Sequence, residues 1–428
     1  MGSLQVLDNL AQEASHFTTH SGEISENGIF VALKGEKRDA HDFVNDVLKK
    51  NPKAIIVEKE TGIQDPRIHR VPSTQQAHWE IAKIFRNKFK GKVIGIGGSN
   101  GKTSTKDFLY FLLSKRFNCI KTEKSQNGLL GIPKTLEKLR DGVDFAVIEI
   151  GVDAPGDMKR NVDLVRPDIA VLTSIGEEHL NLLKDLDGVF AEERVLVDWA
   201  DAHHKKSFCP ASDSYLKRLK AKGLSLVEKT PMDINSTFNV QFKETHMLQN
   251  AAVAIRIALE LGMSAEAISS HLKEMDLVDG RGLKWKISED LWVIRDHYNA
   301  NPSSMTLAIE SAIAFSKEKN LPLKCILGDM LDLGLESESS HQKIVALAQK
   351  SGATELLWVG PLITKHAQIL QINEKSPVSK QRQHFISSSD APLSEELVQF
   401  FKSGVILVKA SRGTALENVM NRLFGFFK

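Results

Sequence analysis

Lys102 and Thr103 stand out chemically because of what precedes them. Gly97-Gly98-Ser99-Asn100-Gly101 leads into Lys102-Thr103-Ser104. Glycines let backbone N–H groups crowd round an anion, and the positive end of a new helix points at it. In that setting the Lys102 ammonium reaches the β- and γ-phosphates of a nucleoside triphosphate, and the Thr103 hydroxyl sits on its magnesium ion. The match to G-x-x-x-x-G-K-[ST] is incomplete, since the first glycine falls on position 96, which is Ile96. An ordinary glycine-rich turn beside a surface lysine is the plain alternative.

Other groups have chemistry to offer at similar places. Glu149 lies near the carboxyl end of the apolar run Phe145-Ala146-Val147-Ile148-Glu149, the edge at which open α/β sheets bind ligands. A lone buried glutamate is costly, so a partner cation is expected beside it. His179 closes Ile175-Gly176-Glu177-Glu178-His179, just after a third apolar run. Glu193, in Ala191-Glu192-Glu193-Arg194, reads from the residues alone as a solvated helix face with a Glu–Arg pair. Asp296, Lys409 and Arg412 follow strand-like runs near the end of the chain.

These groups need elements to position them. An apolar strand over 93–96 feeds the turn, and Phe108, Leu109, Leu112 and Leu113 share one face of the helix that follows. Residues 1–90 read as a small α/β module, with strands over 28–35 and 54–57 and a helix at 42–48 between them. Residues 205–240 carry weak strands and no motif, and a helix starts near His246. Past Gly280-Arg281-Gly282, strands at 291–294, 324–327, 355–359 and 405–408 alternate with helices. That alternation predicts a second parallel, Rossmann-like sheet. No G-x-G-x-x-G follows a strand, so dinucleotide redox chemistry has no support.

A chain of 428 residues calls for two or three domains. The expectation is an α/β protein of three: 1–90, 91–281 with a central P-loop ATPase-like parallel sheet, and 282–428. Charged residues make up 26%, and 56 Lys+Arg against 54 Asp+Glu leave +2, so no bulk field calls for nucleic acid or an anionic membrane. The three scattered cysteines fit buried free thiols in a reducing compartment. The first residues lack the basic head and apolar run of a signal peptide, and no stretch is apolar enough to cross a bilayer. The expected protein is cytoplasmic, without membrane insertion.

The spelling Gly98-Ser99-Asn100-Gly101-Lys102-Thr103 resembles the ATP loop of the Mur ligase and folylpolyglutamate synthetase superfamily. Residues 29–44 resemble the UDP-sugar-binding module of the Mur ligases. Tyr298-Asn299-Ala300-Asn301-Pro302, Gly328-Asp329-Met330-Leu331-Asp332-Leu333-Gly334 and Lys409-Ala410-Ser411-Arg412 resemble one branch of that family. That branch adds D-alanyl-D-alanine to a UDP-N-acetylmuramoyl-tripeptide. The resemblance implies a monomeric ATP-dependent amide ligase of three domains that works through an acyl phosphate, with those two substrates as partners and ATP and Mg2+ as cofactors.

It also implies roles. Gly98, Ser99, Asn100, Gly101, Lys102, Thr103 and Ser104 would hold ATP, with Asn250 on the adenine, Arg281 near the phosphates and Asp296 on the nucleotide. Thr103, Glu149 and His179 would hold the metal. Lys102, Glu149, His179 and Glu193 would be catalytic. Relatives carry a carbamylated lysine where Glu193 stands, and its native carboxylate would take the carbamate's place. Ser21, Lys34, Thr122, Asn127, Tyr298, Asn299, Asn301, Asp329, Lys409 and Arg412 would meet the substrates. The chain departs from the family at His20-Ser21-Gly22, where Asp-Ser-Arg is usual, at Gly128, at Val152-Asp153-Ala154 and at Met247. Other Mur-type amino-acid ligases, a folylpolyglutamate synthetase-like enzyme and a non-catalytic nucleotide-binding homologue are the alternatives. Asp-Asn-Pro-Arg, the signature of the Mur ligase that adds the third residue, is absent here, and folylpolyglutamate synthetase lacks Tyr-Asn-Ala-Asn-Pro and the N-terminal UDP domain.

Overall fold

The computed structural model describes all residues except 1–2, 36–37, 229–230, 239, 241, 243, 276–279, 374–380 and 426–428. Met1-Gly2 of the N-terminal reading and Glu36-Lys37 of the 29–44 resemblance lie outside the described residues. Three sheets follow one another along the chain. The first holds β1 (His16–Thr18), β2 (Gly28–Val31), β3 (Ala54–Val57) and β4 (Ile68–Arg70), all parallel and in sequential order. β2 and β3 are buried along their whole length, as unbroken apolar runs in a parallel sheet must be.

The second sheet contains β5 (Lys92–Gly97), β6 (Cys119–Lys121), β7 (Phe145–Glu149), β8 (Ile169–Leu172), β9 (Lys206–Pro210) and β10 (Leu224–Val227). Its order is β10-β9-β8-β5-β7-β6, parallel throughout. The chain leaves β5 toward β6 and β7 on one side, then crosses to β8 on the other. The carboxyl ends of β5, β7 and β8 therefore flank a topological switch point, where a crevice opens. Helix Lys102–Ser114 turns Phe108, Leu109, Leu112 and Leu113 onto this sheet, each at most 1% exposed.

The third sheet holds β11 (Leu283–Ser288), β12 (Leu291–Arg295), β13 (Leu323–Gly328), β14 (Glu355–Val359), β15 (Arg382–Ile386) and β16 (Gly404–Lys409), in the order β11-β12-β16-β13-β14-β15. It departs from the all-parallel expectation at one edge, because β11 runs antiparallel to β12. Only Glu289 and Asp290 separate the two strands, and so short a link can close only a hairpin.

The first two sheets share one apolar core, in which Phe17, Ala77 and Ile81 join Ile132, Ile148 and Met158. Polar ties reinforce it. Buried His78 meets Glu137 at 2.8 Å, and the Arg86 guanidinium donates to the carbonyls of Val165 and Arg166 at 2.7 and 2.6 Å. The third sheet has separate clusters on its two faces. Among the described residues, no helix is long and apolar enough to cross a membrane.

Candidate active site

β5 explains the incomplete loop spelling. Ile96 is still strand, paired with Glu149 on one side and Val171 on the other, and fully buried. The turn begins only at Gly98, whose φ is 113°, and ends at Gly101 with φ 87°. Both values lie in the left-handed region that favours glycine. A Cβ on Gly98 would come within 2.8 Å of the Thr173 backbone nitrogen, so the loop hugs the end of β8. The N–H groups of Ser99 and Asn100 donate to the Ser174 carbonyl and hydroxyl, each at 2.9 Å.

Lys102 starts the helix with its ammonium folded back over the loop, 2.5 Å from the Gly98 carbonyl oxygen and 3.4 Å from Glu178 Oε2. Burial works against its charge. The carboxylates of Glu178, Glu193 and Glu149 outweigh that and hold its pKa above the ordinary lysine value. Burial likewise opposes the Glu178 carboxylate, but Lys102 and His179 hold its pKa down. His179 has a left-handed φ of 53°, a conformation that clusters at functional sites. Its Nε2 lies 3.5 Å from Asp153 and 3.6 Å from Glu178. Burial lowers the imidazole pKa, and these two acids more than reverse the effect.

Glu149 is 1% exposed. It accepts from the Thr103 hydroxyl at 2.9 Å, Asn127 Nδ2 at 2.7 Å and Lys106 Nζ at 3.2 Å. Its own N–H donates to the Thr122 hydroxyl at 3.0 Å, so buried Thr122 orients the acid. Lys106 is the cation that burial of Glu149 demanded. It sits four residues after Lys102 on the same helix face, and its ammonium also meets the Lys124 carbonyl. The Thr103 and Glu149 oxygens, 2.9 Å apart, span one edge of an octahedron with bonds of about 2.1 Å, the geometry of a small hard cation. Among the described residues no three His, Cys, Asp or Glu side chains form a metal group. A cation here would thus draw further oxygens from phosphate and water, as Mg2+ does in nucleotide sites.

Glu193 is the last residue of helix Leu186–Glu193, 3% exposed, and accepts the Gly98 N–H at 2.8 Å. Burial, opposed by Lys102, pushes its pKa up to about 7. It lies behind the loop, off the cavity wall. The surface Glu–Arg pair read from the sequence does not form: Arg194 pairs with Asp198, and Glu192 accepts the N–H groups of Gly156 and Met158.

The opposite wall comes from the third sheet. Lys409, the last residue of β16, pairs with Asp296 at 2.8 Å and donates to the Asn299 carbonyl at 2.9 Å. Tyr298 lies under the Arg281 guanidinium, 4.1 Å from its ring centroid, and Arg281 also donates to the Thr103 hydroxyl at 2.9 Å. His246 faces the same space, its pKa lowered by burial despite Asp296 and Glu244. Together these groups enclose a cavity of about 450 Å³ that also meets Ser99, Asn100, Gly101, Ser104, Asn127, Glu149, His179 and Asn250.

Several sequence candidates fall elsewhere. Asp329, just after β13, accepts the N–H groups of Leu362 and Ile363 at the start of helix Pro361–Asn373, which follows β14. Asn301 is committed to protein contacts. Arg412 pairs with Glu417 outside the cavity wall. Ser21 and Lys34 follow β1 and β2 on the first sheet. Sequence reasoning missed Lys106 and Glu178, although the demand for a cation beside Glu149 pointed to the helix that carries Lys106.

A glycine-rich loop at the switch point of a parallel sheet, backed by a lysine and buried acids, defines an enzyme that handles nucleotide phosphates. Residues 96–246 match the Mur ligase middle domain and residues 283–412 the Mur ligase, glutamate ligase domain. The UDP-N-acetylmuramoyl-tripeptide--D-alanyl-D-alanine ligase of Buchnera aphidicola subsp. Acyrthosiphon pisum is 30% identical to this chain, covering 92% of it and 90% of the relative. The Escherichia coli (strain K12) protein of the same name is 27% identical, covering 95% and 93%. A crystal structure of MurF from Acinetobacter baumannii superposes with a TM-score of 0.78 at 25% identity, covering 98% of each chain. The chain belongs to the Mur ligase family.

Proposed function

We propose that this enzyme joins D-alanyl-D-alanine to a UDP-N-acetylmuramoyl-tripeptide at the expense of ATP. The observation that carries the reading is the two-walled cavity. Lys102, Thr103 and Glu149 stand on one side, and Asp296, Tyr298 and Lys409 face them from the third sheet. Similarity to the named ligases over nearly the whole chain supports the substrates.

In this reading residues 1–90 take the UDP end through Ser21 and Lys34, 91–281 take ATP, and 282–428 bring the dipeptide. Gly98 to Ser104 cradle the phosphates, with Asn250 and Arg281 beside the nucleotide. Thr103 and Glu149, with His179, would hold Mg2+, whose charge offsets that of the phosphates. The terminal carboxylate of the UDP-peptide attacks the γ-phosphorus, an O–P bond forms, the bridging P–O bond breaks, and ADP leaves. The dipeptide amine then attacks the acyl carbon and loses a proton, and inorganic phosphate departs. Lys102 leaves the Gly98 carbonyl to meet the charge moving onto the phosphates, so positioning and electrostatics supply most of the catalysis. Glu193 is a buried carboxyl post that acts through Gly98 and Lys102, in place of the relatives' carbamate. Three free cysteines suit the reducing cytoplasm.

The test is ADP release by the purified chain with Mg-ATP. Release that requires both the UDP-tripeptide and D-alanyl-D-alanine is expected. Release with glutamate-type acceptors instead, or none with any UDP-peptide, overturns the reading.

A further inference from the structure

Asn100, at the tip of the phosphate loop, is gripped from two domains. Its backbone belongs to the second sheet, where the N–H donates to the Ser174 hydroxyl at 2.9 Å and the carbonyl accepts from the Thr173 hydroxyl at 2.6 Å. Its side chain belongs to the third. Asn301 Nδ2 donates to Asn100 Oδ1 at 3.0 Å, and Asn100 Nδ2 reaches the Ser303 hydroxyl at 3.4 Å. Space is as tight as the bonding: a Cβ on Gly176 would stand 3.0 Å from Asn100 Nδ2 and 3.1 Å from the Ser303 hydroxyl.

Asn301 spends its side-chain oxygen and one amide N–H on the protein itself. It is 3% exposed. Its Oδ1 accepts from the Ser304 N–H at 2.9 Å and the Ser303 hydroxyl at 3.2 Å, and its own N–H donates to the Ser304 hydroxyl at 3.0 Å. These bonds form the capping box of helix Pro302–Lys319, with proline at its start. The cap of a helix in one domain is thus bonded to the tip of the phosphate loop in another.

We propose that Asn301 and Ser303 are positioning residues for the phosphate loop, forming a cross-domain clasp on Asn100. Docking of the third sheet and ordering of the loop are then one event. Their coupling is reciprocal: whatever fills the loop favours docking, and docking tightens the hold on the nucleotide.

Asn301→Ser isolates the clasp, because serine still caps a helix but is too short to reach Asn100. Asn100→Ala removes the other partner, and the double variant closes a cycle. Affinity of the full-length chain for Mg-ATP is measured by calorimetry, with melting temperature as the control and kcat and KM for ATP from ADP release. Each single variant is expected to bind Mg-ATP roughly two- to tenfold more weakly, Asn301→Ser to melt like the parent, and the double variant to be no worse than the weaker single. Parental affinity in Asn301→Ser, or effects that multiply in the double variant, overturns the clasp. Only the kinetic arm rests on the ligase reading. A parent that binds Mg-ATP but releases no ADP sinks that reading and leaves the calorimetric cycle to decide on the clasp.

Discussion

Replacing Lys106 by methionine strips the only ammonium in contact with Glu149 among the described residues, with little change in volume. Both side chains are 1% exposed and 3.2 Å apart, so solvent cannot take over the role of the lost partner. Removing one member of a buried pair costs about 3–5 kcal/mol, most of it from the charge left behind. Thr103 and Asn127 still donate to the carboxylate, which places this case near the lower end. Thermal melts of Lys106→Met beside Lys106→Met/Glu149→Gln read the effect without requiring turnover. The single variant is expected to melt well below the parent. The double variant, in which a neutral amide faces methionine, is expected to recover most of the loss. Equal melting of Lys106→Met and parent, or no recovery in the double variant, would refute the view that the fold depends on pairing this lysine with the buried acid.

Other outcomes follow from the same site. Lys102→Met is expected to cut ADP release by about two to three orders of magnitude, as loss of a charge-stabilising donor does, read in the coupled assay. Gly98→Ala puts a methyl group within 2.8 Å of the Thr173 nitrogen at a φ of 113°. It is expected to abolish calorimetric binding of Mg-ATP, and parental affinity would contradict the loop geometry. Glu193 has a pKa raised to about 7, so its contribution to stability is present below the ordinary carboxylate value and is lost as pH rises through about 7. Between pH 5 and 8 the parent should therefore lose on the order of 3 kcal/mol relative to Glu193→Gln, seen as converging or crossing melting curves.

Much of this was legible in the chain itself. The loop from Gly98 to Thr103 announces itself because glycines, a preceding apolar run and an amphipathic helix all agree on one local structure. Glu149 could be placed at a strand end, and burial alone demanded its cation. Lys106 and Glu178 stayed hidden because a charged residue on a helix or in a loop ordinarily reads as solvated. β15 escaped because Arg382, Gln383 and His384 give it a polar edge-strand composition. β11 was legible but not read: Leu283-Lys284-Trp285-Lys286-Ile287-Ser288 alternates apolar and polar residues as a half-buried strand does. The bond from Asn301 to Asn100 spans 201 positions, and no local pattern reports a contact made only when two domains meet. Asp329 was marked by the spelling Gly328-Asp329-Met330-Leu331, which cannot report that its carboxylate reaches the N-terminus of helix Pro361–Asn373, beyond β14.

The shared core beneath Phe17, Ile81 and Ile148 has a consequence for substrate length. With the first two sheets welded together, Ser21 and Lys34 keep a constant separation from Lys102. In the proposed reaction, a UDP-peptide held at Ser21 and Lys34 must then present its reactive tip at a set reach, and a stem one residue too short would stop before the phosphates. For that reaction such a scaffold works as a ruler for what reaches the phosphate loop, and the third sheet, with its own separate cores, supplies the facing wall.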